Sequence, residues 1–146
     1  MAKTFKIYTC GAMSNKTLTE SMEWRNKIEE AVRFRTDKSV TFIHPPEYFN
    51  YEVKSHKTEK EVMEWEISQI QSCDIVVANI DDICNSVGSL IEIGAVYALN
   101  MFSQKHINVV GICNSSDIYP WIENACLRIE TDCDSAADYI AKYLLV

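Results

Sequence analysis

Cys73-Asp74-Ile75-Val76-Val77-Ala78-Asn79-Ile80 is apolar at almost every position rather than at every second one. A strand with one wet face alternates; a strand covered on both faces does not. The run is therefore read as a strand buried between two layers. Just downstream, the polar residues 81–86 lead into a helix over about 87–102, with Leu90, Ile93, Gly94, Tyr97 and Met101 as its expected inner stripe. A second buried strand, INVVGIC, follows at 107–113. Just upstream, Thr58 and Glu61 form a capping box. The helix they open runs to about residue 72, with Met63, Ile67 and Ile70 at i, i+4 and i+7. Nearer the N-terminus, strands at 4–9 and 40–43 flank a helix over 18–35 whose stripe is Trp24, Ile28, Ala31 and Val32. A short helix at 119–125, a strand at 127–130 and a helix at 135–145 complete the order. Strands alternating with helices predict an α/β fold: one doubly wound domain over 1–146, with a mainly five-stranded parallel sheet and helices on both faces, Rossmann- or flavodoxin-like.

Composition excludes several function classes. The 146 residues suit one domain, and a domain of this size needs no metal or disulfide to hold a core. Apolar residues make up 47% and charged residues 24%, which is globular rather than disordered. The net charge of -7 weighs against a nucleic-acid partner, because duplex binders neutralise phosphates with basic surface. Arg33/Arg35 and the lysines at 54 and 57 read as solvated surface. No apolar run reaches the roughly 18 residues of a membrane span. The first residues lack the apolar core of a secretory signal, so a cytoplasmic protein is expected. The six cysteines show no C-x-x-C spacing and are expected to be buried free thiols. His44, His56 and His106 show no metal-ligand spacing, and no metal or other cofactor is expected.

Ligands of such sheets bind beyond the carboxyl ends of the strands. That rule selects the loops at 10–16, 44–57 and 81–89. In the third, Gly88 and Ser89 stand where free backbone N–H groups at a helix start favour an anion. Glu92 follows one turn later. The helix dipole favours its ionisation while burial opposes it. It suits a nucleophile, although spacing alone favours an ordinary acidic residue interacting with the helix dipole. Glu66 borders the Met63/Ile67/Ile70 stripe, where it reaches a site from the edge of the core or remains a surface acid beside Glu64. Two such carboxylates are the equipment for cleaving a glycosidic bond with retention. Gly11 permits close approach of a ligand to backbone. Tyr8 ends the first strand, and its ring or hydroxyl serves the site or packs the sheet. His44 lines the site or packs a loop. Tyr48, Phe49 and Tyr51 stack on a planar base or cap the core. There is no G-x-G-x-x-G, P-loop or G-x-S-x-G.

Ile7-Tyr8-Thr9-Cys10-Gly11, the helix with Glu66, the strand at 74–79 and Gly88-Ser89-Leu90-Ile91-Glu92-Ile93-Gly94-Ala95 resemble the nucleoside 2-deoxyribosyltransferase family. The likeness runs in order along nearly the whole chain, and Gly-x-x-x-Glu-x-Gly is its distinctive part. It implies exchange of the base of a 2'-deoxynucleoside, or hydrolysis of the bond, through a glutamate that attacks C1'. Glu92 then corresponds to the nucleophile, Tyr8 to the tyrosine that orients it, and Glu66 to an upstream aspartate that contacts the base and manages its proton. Six residues before the nucleophile, transferases carry a sugar-contacting aspartate; here Ser86 stands there. The related deoxynucleoside 5'-monophosphate N-hydrolases have a phosphate-binding serine at that place, so Ser86 shifts weight toward a nucleotide. Those hydrolases also carry arginine in the first loop, whereas this loop offers only Lys16, with Ser14 and Ser89 as hydroxyl donors.

The resemblance further implies a homodimer or higher homo-oligomer. Asn114, Ser115, Ser116 and Asn124 are the candidates for completing a neighbour's site. The implied partners are a small-molecule nucleoside or nucleotide and a free base, without nucleic acid or membrane. A non-catalytic nucleotide sensor and a ribonucleotide hydrolase are the rival readings.

Overall fold

The computed structural model describes residues 2–83 and 85–146. Its strands are β1 (Thr4–Cys10), β2 (Ser39–Ile43), β3 (Ile75–Asn79), β4 (Asn108–Ile112) and β5 (Arg128–Glu130). Its helices are α1 (Leu18–Arg35), α2 (Glu59–Gln71), α3 (Ile80–Ile83), α4 (Val87–Phe102), α5 (Pro120–Ala125) and α6 (Cys133–Tyr139), the last running into a π-helical turn at Ile140–Leu144. All strand pairs are parallel, in the order β2-β1-β3-β4-β5. The expected five-stranded parallel α/β sheet is what the chain forms. Strand order reverses between β1 and β3, which places the ligand-binding crevice beyond their carboxyl ends.

Period-two alternation splits the core into two layers. Tyr8, Cys10, Val76, Ala78 and Val109 face α2, α4 and α5, packing on Ile70, Ile93, Val96 and Ile122. Phe5, Ile7, Ile75, Val77 and Val110 face α1 and α6, packing on Ile28, Val32, Ala136, Ala137 and Ile140. Caps fix the helix starts: the hydroxyl of Thr17 accepts from Glu20 N–H, that of Thr58 from Glu61 N–H and that of Ser86 from Ser89 N–H. Residues 81–83, expected as loop, continue α3 directly out of β3.

Two helices bury a different face from the one their apolar spacing suggested. In α4 the buried residues are Ser89, Glu92, Ile93 and Val96, while Leu90, Gly94, Tyr97 and Met101 lie exposed or on the flank. In α2 the buried residues are Val62, Glu66 and Ile70, with Met63 exposed. Glu66 therefore sits in the middle of the inward stripe and not at its border. Both rotations carry a glutamate into the interface between α2 and α4.

Cys10, Cys73 and Cys113 are buried and Cys126 and Cys133 half-buried, all without disulfides. Cys84 lies outside the described residues. No described helix is long and apolar enough to cross a membrane.

Of the four glycines, Gly111 leaves a side chain the least room. A Cβ there would clash with Ile80 Cδ1 and lie 3.2 Å from Ile129 Cγ1. Gly111→Val is expected to destabilise by roughly 1–3 kcal/mol through overpacking. The check is a lower urea midpoint at unchanged m-value.

Candidate active site

β1 delivers Tyr8 and Cys10, α2 delivers Glu66 and α4 delivers Glu92, all on the same side of the sheet. Each is buried, with Tyr8 at 0% and Glu66 and Glu92 at 8% exposure. The two carboxyls line the same cleft and perturb each other. Burial drives both upward from the usual carboxylate range. For Glu66, the contact with Glu92 and its charge push the same way. For Glu92, the Glu66, Tyr8 and Cys10 donors pull back toward ionisation. Burial and the neighbouring charge raise Glu66 to about 9, which favours its protonated form, while the donors around Glu92 oppose the upward pull of burial on that carboxyl. Burial and the two carboxylates keep the Tyr8 phenol protonated. Tyr8 Oη and Glu92 Oε2 are buried and have no formed hydrogen bond among the described residues, although the phenol is close enough to bias Glu92. A phenol and a carboxylate oxygen are thus buried with hydrogen-bonding capacity unspent.

The pair forms the floor of a cleft of about 410 Å³. Val62, Met63, Ile67 and Ile91 give it apolar walls, and Gly88 leaves its rim open. Tyr51 closes one side, its hydroxyl donating to Glu59 Oε2 at 2.9 Å. Tyr48 and Phe49 are turned onto Trp65, with ring centroids 4.5 and 5.2 Å away, and serve as a cap on the core. Of the three aromatics in that loop, only Tyr51 lines the cleft.

The remaining sequence candidates are distributed less simply. Ser86 caps α4, its hydroxyl accepting from Ser89 N–H at 3.3 Å and lying 2.8 Å from the Ser89 hydroxyl. Ser14 is exposed in the first loop. Gly11 is needed for a different reason from the one expected: a Cβ there would lie 2.8 Å from the Trp24 ring, so an indole and not a ligand takes the open face. His44 is not brought to the carboxylates. Its Nδ1 lies 2.8 Å from Thr9 Oγ1 and its Nε2 2.6 Å from Glu29 Oε1, which spends both ring nitrogens on the α1 side of the sheet. Lys16 is paired with Asp82 at 3.3 Å. Asn114, Ser115 and Ser116 are exposed after β4, and Asn124 donates to the Pro120 carbonyl at 2.7 Å. None of these four lines the cleft.

Two residues were missed in the sequence. Cys10 points its thiol at the Ser89 carbonyl, 3.6 Å away, beside Glu92. Arg25 is completely buried beneath the first loop and donates to the Gly11 carbonyl at 3.1 Å. The signal for Arg25 was its place in the run Met22, Arg25, Ile28, Val32, a cation at a core position of an amphipathic helix.

Comparison with known proteins agrees with this architecture. A family model described as nucleoside 2-deoxyribosyltransferase like matches residues 4–112, a span that includes Tyr8, Glu66 and Glu92. The 2-deoxyribosyltransferase of the psychrotolerant bacterium Bacillus psychrosaccharolyticus has a similar fold, at 22% identity over 92% of this chain and 91% of that one, with a TM-score of 0.69. A conserved protein from Enterococcus faecalis V583 superposes with a TM-score of 0.76 at 16% identity, over 97% of this chain and all of that one (100%). The 2-desoxiribosyltransferase from Leishmania mexicana gives a TM-score of 0.62 at 14% identity, over 97% and 99% of the two chains. No curated protein matches the chain significantly by sequence. The family match extends over most of the chain and takes in both carboxylates and the tyrosine, and on that ground the chain belongs to the nucleoside 2-deoxyribosyltransferase-like family.

Proposed function

We propose that the chain cleaves the N-glycosidic bond of 2'-deoxynucleosides and passes the deoxyribosyl group to a second base. The observation that carries this reading is two buried glutamates, Glu66 and Glu92, lining the floor of one apolar cleft, with Glu66 pushed toward its protonated form. An Oε of Glu92 attacks C1' as the C1'–N bond breaks. The bonding electrons leave with the base, and the proton of Glu66 neutralises it. A covalent deoxyribosyl ester remains on Glu92. A nitrogen of the incoming base then attacks C1', the ester bond returns its electrons to Glu92, and the incoming base surrenders its proton to Glu66. Tyr8 directs its hydroxyl toward the carboxylate and holds it in line for both displacements. A sugar without a 2'-hydroxyl reaches the cationic transition state more readily, which favours deoxyribose.

Chromatography of free-base release tests this reading. Each of the four deoxynucleosides and their 5'-monophosphates is offered with and without a second base, alongside ribonucleoside controls. Exchange that requires the acceptor supports transfer. Release without an acceptor means that water completes the second step, as in a hydrolase. Binding by calorimetry with no release from any substrate leaves a nucleotide sensor.

Ser86 supports a second reading, a 2'-deoxynucleoside 5'-monophosphate N-glycosidase. A neutral hydroxyl stands at the start of α4, where a carboxylate would repel a phosphate. Ser86→Asp separates the two readings cleanly, because aspartate caps a helix as well as serine does. The expected result under the nucleotide reading is a rise in KM for monophosphates of about tenfold or more, roughly 1.4 kcal/mol, with little change for nucleosides. Equal effects on both substrate classes count against a phosphate contact at Ser86.

A further inference from the structure

Arg25 is the largest fully buried side chain in the molecule, at 0% exposure among the described residues. Its guanidinium donates from Nε to Thr9 Oγ1 at 3.1 Å, from one terminal nitrogen to the Ser21 carbonyl at 2.5 Å and from the other to the Gly11 carbonyl at 3.1 Å. The Trp24 ring lies 4.8 Å from its central carbon. Every one of these partners is neutral. Among the described residues no carboxylate stands within ion-pair distance of it. A buried cation without a counterion is costly and is kept only where an anion in the same low-dielectric region offsets it.

Thr9 and Gly11, which Arg25 grips, alternate along the chain with Tyr8 and Cys10, which face Glu92. The grip is itself braced: Thr9 Oγ1 lies against His44, His44 against Glu29, and Glu29 accepts from Arg33 Nε at 2.9 Å. We infer that Arg25 is a positioning residue for the carboxylate pair: from the opposite side of β1 it supplies the balancing positive charge and clamps the strand end that carries Tyr8 and Cys10. The role of the pair in turnover rests on the proposed function; the charge balance does not. The charge of Arg25 favours ionisation of both carboxyls. The other groups that face the pair are Tyr8 and Cys10 from β1, Glu59 from α2 and Tyr51 from the loop before it. Lys60 also lines the cleft, but it is exposed and paired with Glu64 at 2.7 Å, and Asp82 is a further anion acting on Arg25; among these groups Arg25 is the buried cation.

The test uses the full chain without substrate. Carboxyl-carbon NMR follows the titration of Glu92 and Glu66 in wild type, Arg25→Met and Arg25→Lys. The expected result is an upward shift of the pair's first ionisation by about one pH unit or more in Arg25→Met, largely reversed in Arg25→Lys. The acid limb of the kcat/KM profile is expected to move upward by the same amount. Unchanged titration in a folded Arg25→Met overturns the inference and leaves Arg25 a packing residue. Carboxyl shifts in a protein that releases no base support the inference while the functional reading fails. Should Arg25→Met not fold, the double variant with Glu92→Gln decides, because removal of the anion removes the need for the cation. A smaller Tm loss in the Glu92→Gln background is expected; an equal loss, or failure to fold in both backgrounds, overturns the inference.

Discussion

Glu92→Gln is expected to lower base release by roughly 10³–10⁵-fold and, at the same time, to raise Tm at pH 7–8. The first effect follows from loss of the proposed nucleophile; an amide of the same shape preserves the cleft but offers no electron pair of comparable nucleophilicity. The second follows from linkage. Burial raises the ionisation of Glu92 above its unfolded value, so folding at neutral pH works against its charge. Removing that charge forfeits its attraction to Arg25 but relieves a larger burial penalty, because burial outweighs Arg25 in setting the ionisation of Glu92. A site that costs stability is a recurrent signature of function. The checks are single-turnover base release and a thermal melt. Undiminished turnover would sink the assignment of Glu92. A lower Tm would show that the carboxylate stabilises the fold, contrary to the burial argument.

Glu66→Gln is expected to act on both the rate and its pH profile. Loss of the proton donor should cost about 10²–10³-fold in kcat. Burial and the neighbouring carboxylate push Glu66 up to about 9 from an ordinary 4.5. Wild-type activity should therefore fall as pH rises toward 9, where the proton is lost, and that alkaline limb should disappear in the glutamine variant. The stability effect has a definite sign. A carboxyl whose folded value is raised stabilises fully below its unfolded value of about 4.5, and that contribution drains away as pH rises toward the folded value. The variant should thus gain on wild type across this interval. By pH 9 the gap should be on the order of 2–4 kcal/mol, less than the full shift because the pair shares the penalty. Melts at pH 5, 7 and 9 measure it. A constant difference across the series would refute the raised carboxyl.

The sheet was legible because its signals are local. Unbroken apolar runs marked β3 and β4, and the polar loops between elements selected the crevice. What was less legible was which way α2 and α4 turn. Both helices carry apolar residues over more than half their circumference, so Ile91, Tyr97 and Met101 compete with Ile93 and Val96 as core positions. Periodicity alone does not resolve that competition; packing on the sheet does. The same ambiguity hid the depth of Glu66, a glutamate among surface glutamates; the burial of Val62 and Ile70 on either side of it sets that depth. His44 and Gly11 fall where the sequence put them in the chain. Their partners, Glu29, Thr9 and Trp24, come from α1 and β1 and are set by tertiary packing.

The two-residue alternation of β1 makes its length as constrained as its chemistry. Tyr8 and Cys10 look toward one helix layer while Thr9 looks toward the other. Deleting or inserting a single residue early in this strand would exchange the two sets, turning the phenol toward the guanidinium of Arg25 and the threonine toward the acids. Point substitutions there degrade one contact at a time; a frame-preserving one-codon indel would invert the whole arrangement. Deep mutational scanning that includes single-codon deletions should therefore find β1 the least forgiving segment to a change of length, with the exposed turn around Asn15 tolerating the same change.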